Sequence, residues 1–326
     1  MDSTSRKILI LGASGLIGRF VTDDLRTRGF QAIGVARHLA PSQKTSAFDL
    51  ELPVMSMDAA SLARLIRERE IDVVVNCLGV LQDGPGSDTR AVHRDFVECL
   101  LAAIRDGGRR ARLIHISIPG TADGDHTAFS VTKREAERLI AASGIAYAIL
   151  RPGFVVAPSA YGGSAMLRAL AVFPLQLPAD ESATPFQPVA VGDIADTIAW
   201  LAARDIDNSA ANAVTWDLMQ PQPITLGNVI DQFRWSFGTA GYPRITLPAF
   251  LLDLGAKAGD LVNRLGWMPP MRTTAIAELR RGVSGNPTRW MTATGIVPKT
   301  IAQTAGQRPA TPFRTNGLPG CSRSRR

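Results

Sequence analysis

Three cysteines in 326 residues, Cys77, Cys99 and Cys321, are too few, too far apart and odd in number to form a disulfide framework or a metal site. Their scarcity points to a reducing compartment, and a cytoplasmic location is expected. An uninterrupted apolar run of the roughly 20 residues that span a membrane is also missing. The chain opens on polar residues and its first apolar stretch is short and strand-like, so no signal peptide is read. The most apolar late segment, Pro248 to Leu265, is broken by Asp253, Lys257, Asp260 and Arg264. Phe250, Leu254, Ala258, Leu261 and Leu265 recur there at helical spacing, which predicts an amphipathic helix packed on the core, with a membrane-surface use as the lesser alternative. Peripheral membrane or complex association stays open, and the oligomeric state is not fixed.

Acidic residues are absent from the end of the chain. Gln307 to Arg326 carries five arginines and no Asp or Glu, which accounts for five of the net seven positive charges. The folded body is therefore near neutral, and residues 305–326, rich in Pro, Gly, Ser and Thr, are expected to form a disordered basic tail. With no basic stripe or stacking motif in the body, no nucleic-acid partner is expected.

What is present is concentrated in residues 7–19, KILILGASGLIGR. An apolar strand feeding glycines that open a helix turns backbone N–H groups and a helix N-terminus toward a pyrophosphate, so the segment predicts a dinucleotide site. Gly12 permits the tight turn, Gly15 lets the backbone approach the phosphate, and Gly18 lets the helix pack on the sheet. Ser14, Leu16 and Ile17 complete the cradle. Further along, Ala32–Ala36, Val73–Asn76, Leu113–Ser117 and Ala146–Leu150 read as short buried strands. They alternate with helical segments such as Ser61–Glu70, Val92–Ile104 and Lys133–Ala142. Apolar strands separated by helices predict an α/β, doubly wound parallel sheet of Rossmann type.

These motifs resemble those of atypical or extended short-chain dehydrogenases/reductases, within the branch that contains the nucleotide-binding accessory subunit of respiratory complex I. The resemblance rests on the G-x-x-G-x-x-G turn at Gly12–Gly18, on Val73-Val74-Val75-Asn76-Cys77-Leu78-Gly79 and on His115-Ile116-Ser117. It extends to Arg151-Pro152-Gly153 and to Pro188-Val189-Ala190-Val191-Gly192-Asp193-Ile194-Ala195, and so covers about the first 205 residues. It implies an NAD(P)-binding Rossmann domain over 1–205 and a smaller mixed C-terminal lobe over 206–304, with a small-molecule substrate in the cleft between them. By resemblance, Asp49 and Leu50 lie at the adenine, Leu78, Gly79 and Val80 at the cofactor ribose, and Pro152, Gly153 and Phe154 complete the cofactor site.

The second strand ends in Gly34-Val35-Ala36-Arg37-His38, where an acidic residue would favour NAD and an arginine can neutralise a 2′-phosphate. Arg37 therefore favours NADP, with NAD as the alternative. The family's catalytic Tyr-x-x-x-Lys reads here as Phe129-Ser130-Val131-Thr132-Lys133. The resemblance keeps Ser117 and Lys133 as catalytic candidates but leaves no phenol to move a proton. Two readings stay open: an oxidoreductase for a hydrophobic carbonyl, enone or quinone-like compound, with Lys133, Ser117 or Ser130 as proton donor, and a non-catalytic NADP(H)-binding scaffold or redox sensor. Tyr161 offers a replacement phenol from a loop. His115 in its apolar strand reads as a packed residue, as does Cys77, and the five tryptophans are too scattered to form a platform. His38, His93 and His126 have no partners at metal spacing, so no metal is expected.

Overall fold

The computed structural model of the protein describes residues 6–39, 48–84, 86–108, 110–158, 162–205, 213–264, 269 and 271–305. Tyr161, Trp267, Cys321, the lobe start at Ile206 and residues 306–326 of the expected basic tail lie outside the described residues.

The first half alternates β1 (Lys7–Leu11), α1 (Leu16–Thr27), β2 (Gln31–Ala36), β3 (Leu50–Glu51), α2 (Ala59–Glu68), β4 (Val73–Asn76), α3 (Phe96–Asp106), β5 (Arg112–Ile116), α4 (Ala128–Ala141) and β6 (Tyr147–Pro152). Then come β7 (Phe154–Val156), α5 (Gly162–Val172), β8 (Leu175–Gln176), α6 (Ala179–Ala183), β9 (Pro185–Phe186), β10 (Pro188–Ala190) and α7 (Val191–Ala202). The last part holds β11 (Ala213–Leu218), β12 (Ile224–Thr225), α8 (Leu226–Phe237), β13 (Ile245–Thr246), α9 (Ala249–Arg264), α10 (Thr273–Arg281), α11 (Thr288–Thr294) and α12 (Ile301–Ala305).

Seven strands form one parallel sheet in the order β11-β6-β5-β4-β1-β2-β3. The strand order reverses between β1 and β4, which opens a crevice beyond their carboxyl ends. Helices cover both faces. Ile8, Ile10, Val75 and Ile114 pack with Val21 and Leu25 of α1, Ile194 and Ile198 of α7, and Trp290 of α11, whose indole N–H donates to Thr197 Oγ1 at 2.9 Å. On the other face Leu9, Leu11, Val74 and Leu113 pack with Leu62 of α2, Leu100 of α3 and Ile140 of α4. Burial on both sides explains why these strands are apolar throughout rather than alternating. Strand β11, from beyond residue 205, completes the sheet, while β7 through β9, from before it, join α5 and α8 in a smaller layer cored by Leu167, Phe186, Val229 and Phe233.

Two local differences from the sequence expectation follow from capping and burial. Helix α4 starts at Ala128, because Thr127 and Ser130 form a capping box, and this sets Phe129 and Lys133 one turn apart on the same helix. Helix α9 buries Leu252, Ala256, Gly259 and Asn263, so Phe250, Leu254, Ala258 and Leu261 of the predicted apolar stripe face solvent instead of the core, while its last member, Leu265, lies outside the described residues. The buried side won because it is slim enough for a Cβ at Gly259 to collide with the Met271 carbonyl.

At the β1–α1 turn Gly12 has φ +84°, which a side chain would strain, and a Cβ there would sit 3.1 Å from the Cys77 carbonyl carbon. A Cβ on Gly18 would collide with the Gly12 carbonyl, whereas one on Gly15 would stand 3.3 Å from that oxygen. Gly18→Ala is therefore expected to cost about 1–3 kcal/mol in urea unfolding. Gly15→Ala is expected to stay within about 1 kcal/mol of wild type, because its N-cap backbone is extended, yet to weaken dinucleotide binding.

Candidate functional site

The sheet registers bring the sequence candidates to one edge. Leu11 is level with Val35 and Asn76, Asn76 with His115, and Ile116 with Leu150. The segments that leave these strands, Gly12–Gly18, Arg37, Leu78–Val80, Ser117 and Pro152–Phe154, consequently surround the crevice. Ser14 is exposed, and Gly15, Leu16 and Ile17 are half-buried at the head of α1. No side chain caps that helix end and its first turn has no acidic residue, so its N–H groups and positive dipole end are available to an anion. The head of α1 thus offers its positive dipole end to an anion.

Arg37 is exposed just past β2 and has no hydrogen bond or ion pair among the described residues. The Asp49 carboxylate is engaged: it accepts from the Gly34 amide at 3.0 Å and pairs with Arg26 at 2.6 and 3.1 Å. Leu50 pairs with Val35. Gly153 has a packing task as well, since a Cβ there would collide with the Gln187 carbonyl where β7 leaves β6.

Lys133 is buried, and its Nζ donates to the carbonyls of Ile116 at 2.8 Å and Leu78 at 3.4 Å. An ammonium has three donors, so one remains. It sits beside Gly79, where a Cβ would be 3.7 Å from Nζ. Burial lowers the amine from 10.5 to about 8. Burial first, and then the Lys133 charge, lower His93 to about 2 and also hold His115 well below its ordinary value. Cys77 is pushed up to about 12 by desolvation of its thiol. These neighbours are therefore neutral, leaving a single titrating amine among them.

His93 lies in a π-helical stretch, Ala91–Asp95, leading into α3. Its Nε2 accepts from the Val80 amide at 3.1 Å, so Nδ1 carries the proton and donates to Thr132 Oγ1 at 2.9 Å. The Phe129 ring meets His93 edge-on, with centroids 5.5 Å apart. Sequence spacing hid this support, because its partners are thirteen and thirty-nine residues away. His115 is packed as expected, with Nδ1 accepting from Asn76 Nδ2 at 3.2 Å; its Nε2–H is buried without a partner.

Ser117 Oγ is likewise buried without a well-aligned hydrogen bond, close to the Glu137 carboxylate. Burial would raise Glu137, but Arg151, which donates at 2.6 and 2.9 Å, and Arg134 hold its carboxyl below the ordinary value. Arg134 also donates to the carbonyls of Ile118, Pro119 and Gly120 and pairs with Asp125, while Arg281 of α10 reaches Pro119 and Asp125. Thr127 completes the clamp by donating to Glu278 of α10. This network, which holds the loop from Ser117 to Thr127 against α4 and α10, has no signature in the sequence. Among the described residues there is no His, Cys, Asp and Glu cluster able to hold a metal, and no helix is long and apolar enough to cross a membrane.

Residues 12–173 match a family described as NAD(P)H-binding. No curated protein matches the sequence significantly. Among solved structures, MoeE5 in complex with UDP-glucose and NAD is similar at 17% identity and a TM-score of 0.67, over 93% of this chain and 97% of that one. The UDP-glucose 4-epimerase of Thermus thermophilus in complex with NAD is similar at 18% identity and a TM-score of 0.65, over 92% and 97%. The UDP-glucuronic acid 4-epimerase of Bacillus cereus, in complex with UDP-glucuronic acid and NAD, is similar at 15% identity and a TM-score of 0.65, over 92% and 96%. At these identities the likeness is one of fold.

The neutral histidines make stability depend on acidity. Below pH 6.5 the unfolded chain takes protons that folded His93 refuses until about pH 2, so its share of the stability is present above 6.5 and is lost as pH falls. His93→Gln is expected to flatten the slope of unfolding free energy against pH below 6.5 in urea titrations, and an unchanged slope would show that His93 titrates normally.

Proposed function

We propose that the protein is an NADP(H)-preferring oxidoreductase of the atypical short-chain type, acting on a hydrophobic carbonyl, enone or quinone-like compound. The carrying observation is the dry Lys133 amine, lowered to about 8, on the same helix as a phenylalanine where relatives have tyrosine. In this reading Gly12, Ser14, Gly15, Leu16, Ile17 and Gly18 hold the pyrophosphate, Arg37 pairs with the 2′-phosphate, and Asp49 and Leu50 flank the adenine. Leu78, Gly79, Val80 and Lys133 hold the nicotinamide ribose, and Pro152, Gly153 and Phe154 close its far side. When bound, the nicotinamide supplies or accepts hydride.

Lys133 Nζ does the proton work. At neutral pH it carries a proton, and its lowered affinity lets that proton move to a developing alkoxide or enolate more readily than from an exposed lysine. Ser117 Oγ, with no well-aligned partner, orients the substrate oxygen. Phe129 adds apolar surface beside the amine and keeps water from it. That apolar surface is what supports an apolar substrate. Free Cys77 and Cys99 agree with a reducing, cytoplasmic setting.

A second reading is favoured by Phe129 having no exchangeable proton: the nucleotide is held without turnover, as in a redox sensor or a scaffold like the complex I accessory subunit. Both readings use the same cofactor residues. They differ in whether Lys133 transfers its proton.

Arg37→Ala is expected to weaken NADPH by about 1.5–3 kcal/mol in fluorescence titrations and to leave NADH almost unchanged. Equal losses would give Arg37 no part in cofactor choice. In a turnover screen with NADPH against enones, quinones and apolar aldehydes, the reductive rate should fall as pH rises above about 8, where the donor is lost. Lys133→Met should abolish that activity, and Phe129→Tyr should raise it for carbonyl substrates. Tight NADPH binding by wild type with no turnover across the panel would select the scaffold reading.

A further inference from the structure

Ten of the thirteen exposed large apolar side chains among the described residues fall at positions 172–173 and 235–261, all in the smaller layer. Apolar residues exposed singly need no explanation, but a cluster of this kind does. Its parts are brought together by specific contacts. Arg234 near the end of α8 donates to the Leu170 and Leu175 carbonyls, Thr239 donates to the Ala171 carbonyl, and Ile245 of β13 pairs with Leu175 of β8. The ends of α5 and α8, strand β13 and the start of α9 therefore meet at one place. Phe173, Trp235, Tyr242, Ile245, Phe250 and Leu254 are 59, 77, 58, 68, 65 and 60% exposed there.

The acids of α8 and α9 are engaged, and the excess charge around this patch is positive. Both acids of α9 are engaged by neighbouring side chains: Asp253 pairs with Arg280 at 2.8 Å, and Asp260 accepts from Thr273 at 2.7 Å and Gln82 at 2.8 Å. Lys257, by contrast, is exposed between Leu254 and Leu261 and has no ion pair among the described residues. Arg244 borders the patch and shares Asp231 with Arg234. Helix α12 packs against α8, and the chain that follows it carries five arginines and no acid from Gln307 to Arg326.

We propose that this face of the smaller layer docks on an anionic lipid bilayer. Trp235 and Tyr242 are residue types that settle at the headgroup boundary, Phe173, Ile245, Phe250 and Leu254 enter the acyl edge, and Lys257 and Arg244 meet lipid phosphates. At sixteen residues α9 is too short to span and lies in the membrane plane. A second copy of the chain is the weaker occupant, because it would bring the same cations face to face.

The test is flotation of the full chain with extruded vesicles of phosphatidylcholine and phosphatidylglycerol, compared with phosphatidylcholine alone. Preferential binding to the anionic vesicles is expected, with a roughly tenfold loss in the Phe250→Asp, Leu254→Asp double variant. Val297→Asp, which alters an equally exposed apolar side chain outside the cluster, should bind like wild type. Circular dichroism and thermal melting confirm that the variants are folded. Lys257→Glu should weaken anionic binding alone. No vesicle binding by wild type, or binding indifferent to the double variant and lost only on deletion of residues 306–326, would overturn the proposal. So would a dimer in solution that the double variant dissociates while vesicles are ignored.

Discussion

The amine of Lys133, kept out of water at the carboxyl ends of β4 and β5, sets the conditions for everything around it. Burial first, and the nearby Lys133 charge second, keep His93 and His115 neutral. Their protons are then fixed by hydrogen bonds. Val80 must donate to His93 Nε2, and Asn76 must donate to His115 Nδ1. The backbone beside Gly79 is held in place as a result, so the shared burial of Lys133, His93 and His115 orders both the chemistry and the geometry of the crevice.

The second constraint is ionic and works at longer range. Glu137 sits between Arg134 and Arg151, and Arg134 and Arg281 together bind the three successive carbonyls of Ile118, Pro119 and Gly120 as well as Asp125. Breaking a buried pair of this kind leaves an uncompensated charge, so the network resists piecemeal change. Its consequence is that α10 of the smaller layer and α4, which carries Phe129 and Lys133, hold the same loop. Ser117, at the root of that loop, is thereby positioned beside the Glu137 carboxylate.

Those parts of the molecule governed by short-range rules were legible in the sequence. The glycine turn, the apolar strands and the parallel sheet follow from backbone sterics and burial on two faces. The β4 segment Val73–Asn76 was read with its observed limits, and α4 was misplaced only at its start because the Thr127 capping box precedes the apolar periodicity. What stayed hidden depends on partners distant in the chain. Asp49 gave no sign of its Arg26 pair, and the α9 stripe through Phe250, Leu254 and Leu261, expected on the core, is the exposed one. The slim stripe through Ala256 and Gly259 was buried because it admits Met271, leaving Phe250 and Leu254 outside. The departure at Phe129 was plain in the sequence, but the depressed Lys133 amine that gives it meaning needed the surrounding burial to be seen.

A crystal structure of the protein grown with NADPH tests the central claim most directly. The account predicts the pyrophosphate over the amides at the head of α1, the 2′-phosphate at Arg37, and a nicotinamide ribose hydroxyl within hydrogen-bond distance of Lys133 Nζ. A nucleotide bound elsewhere, or one in this crevice whose ribose is out of reach of Lys133, would contradict it.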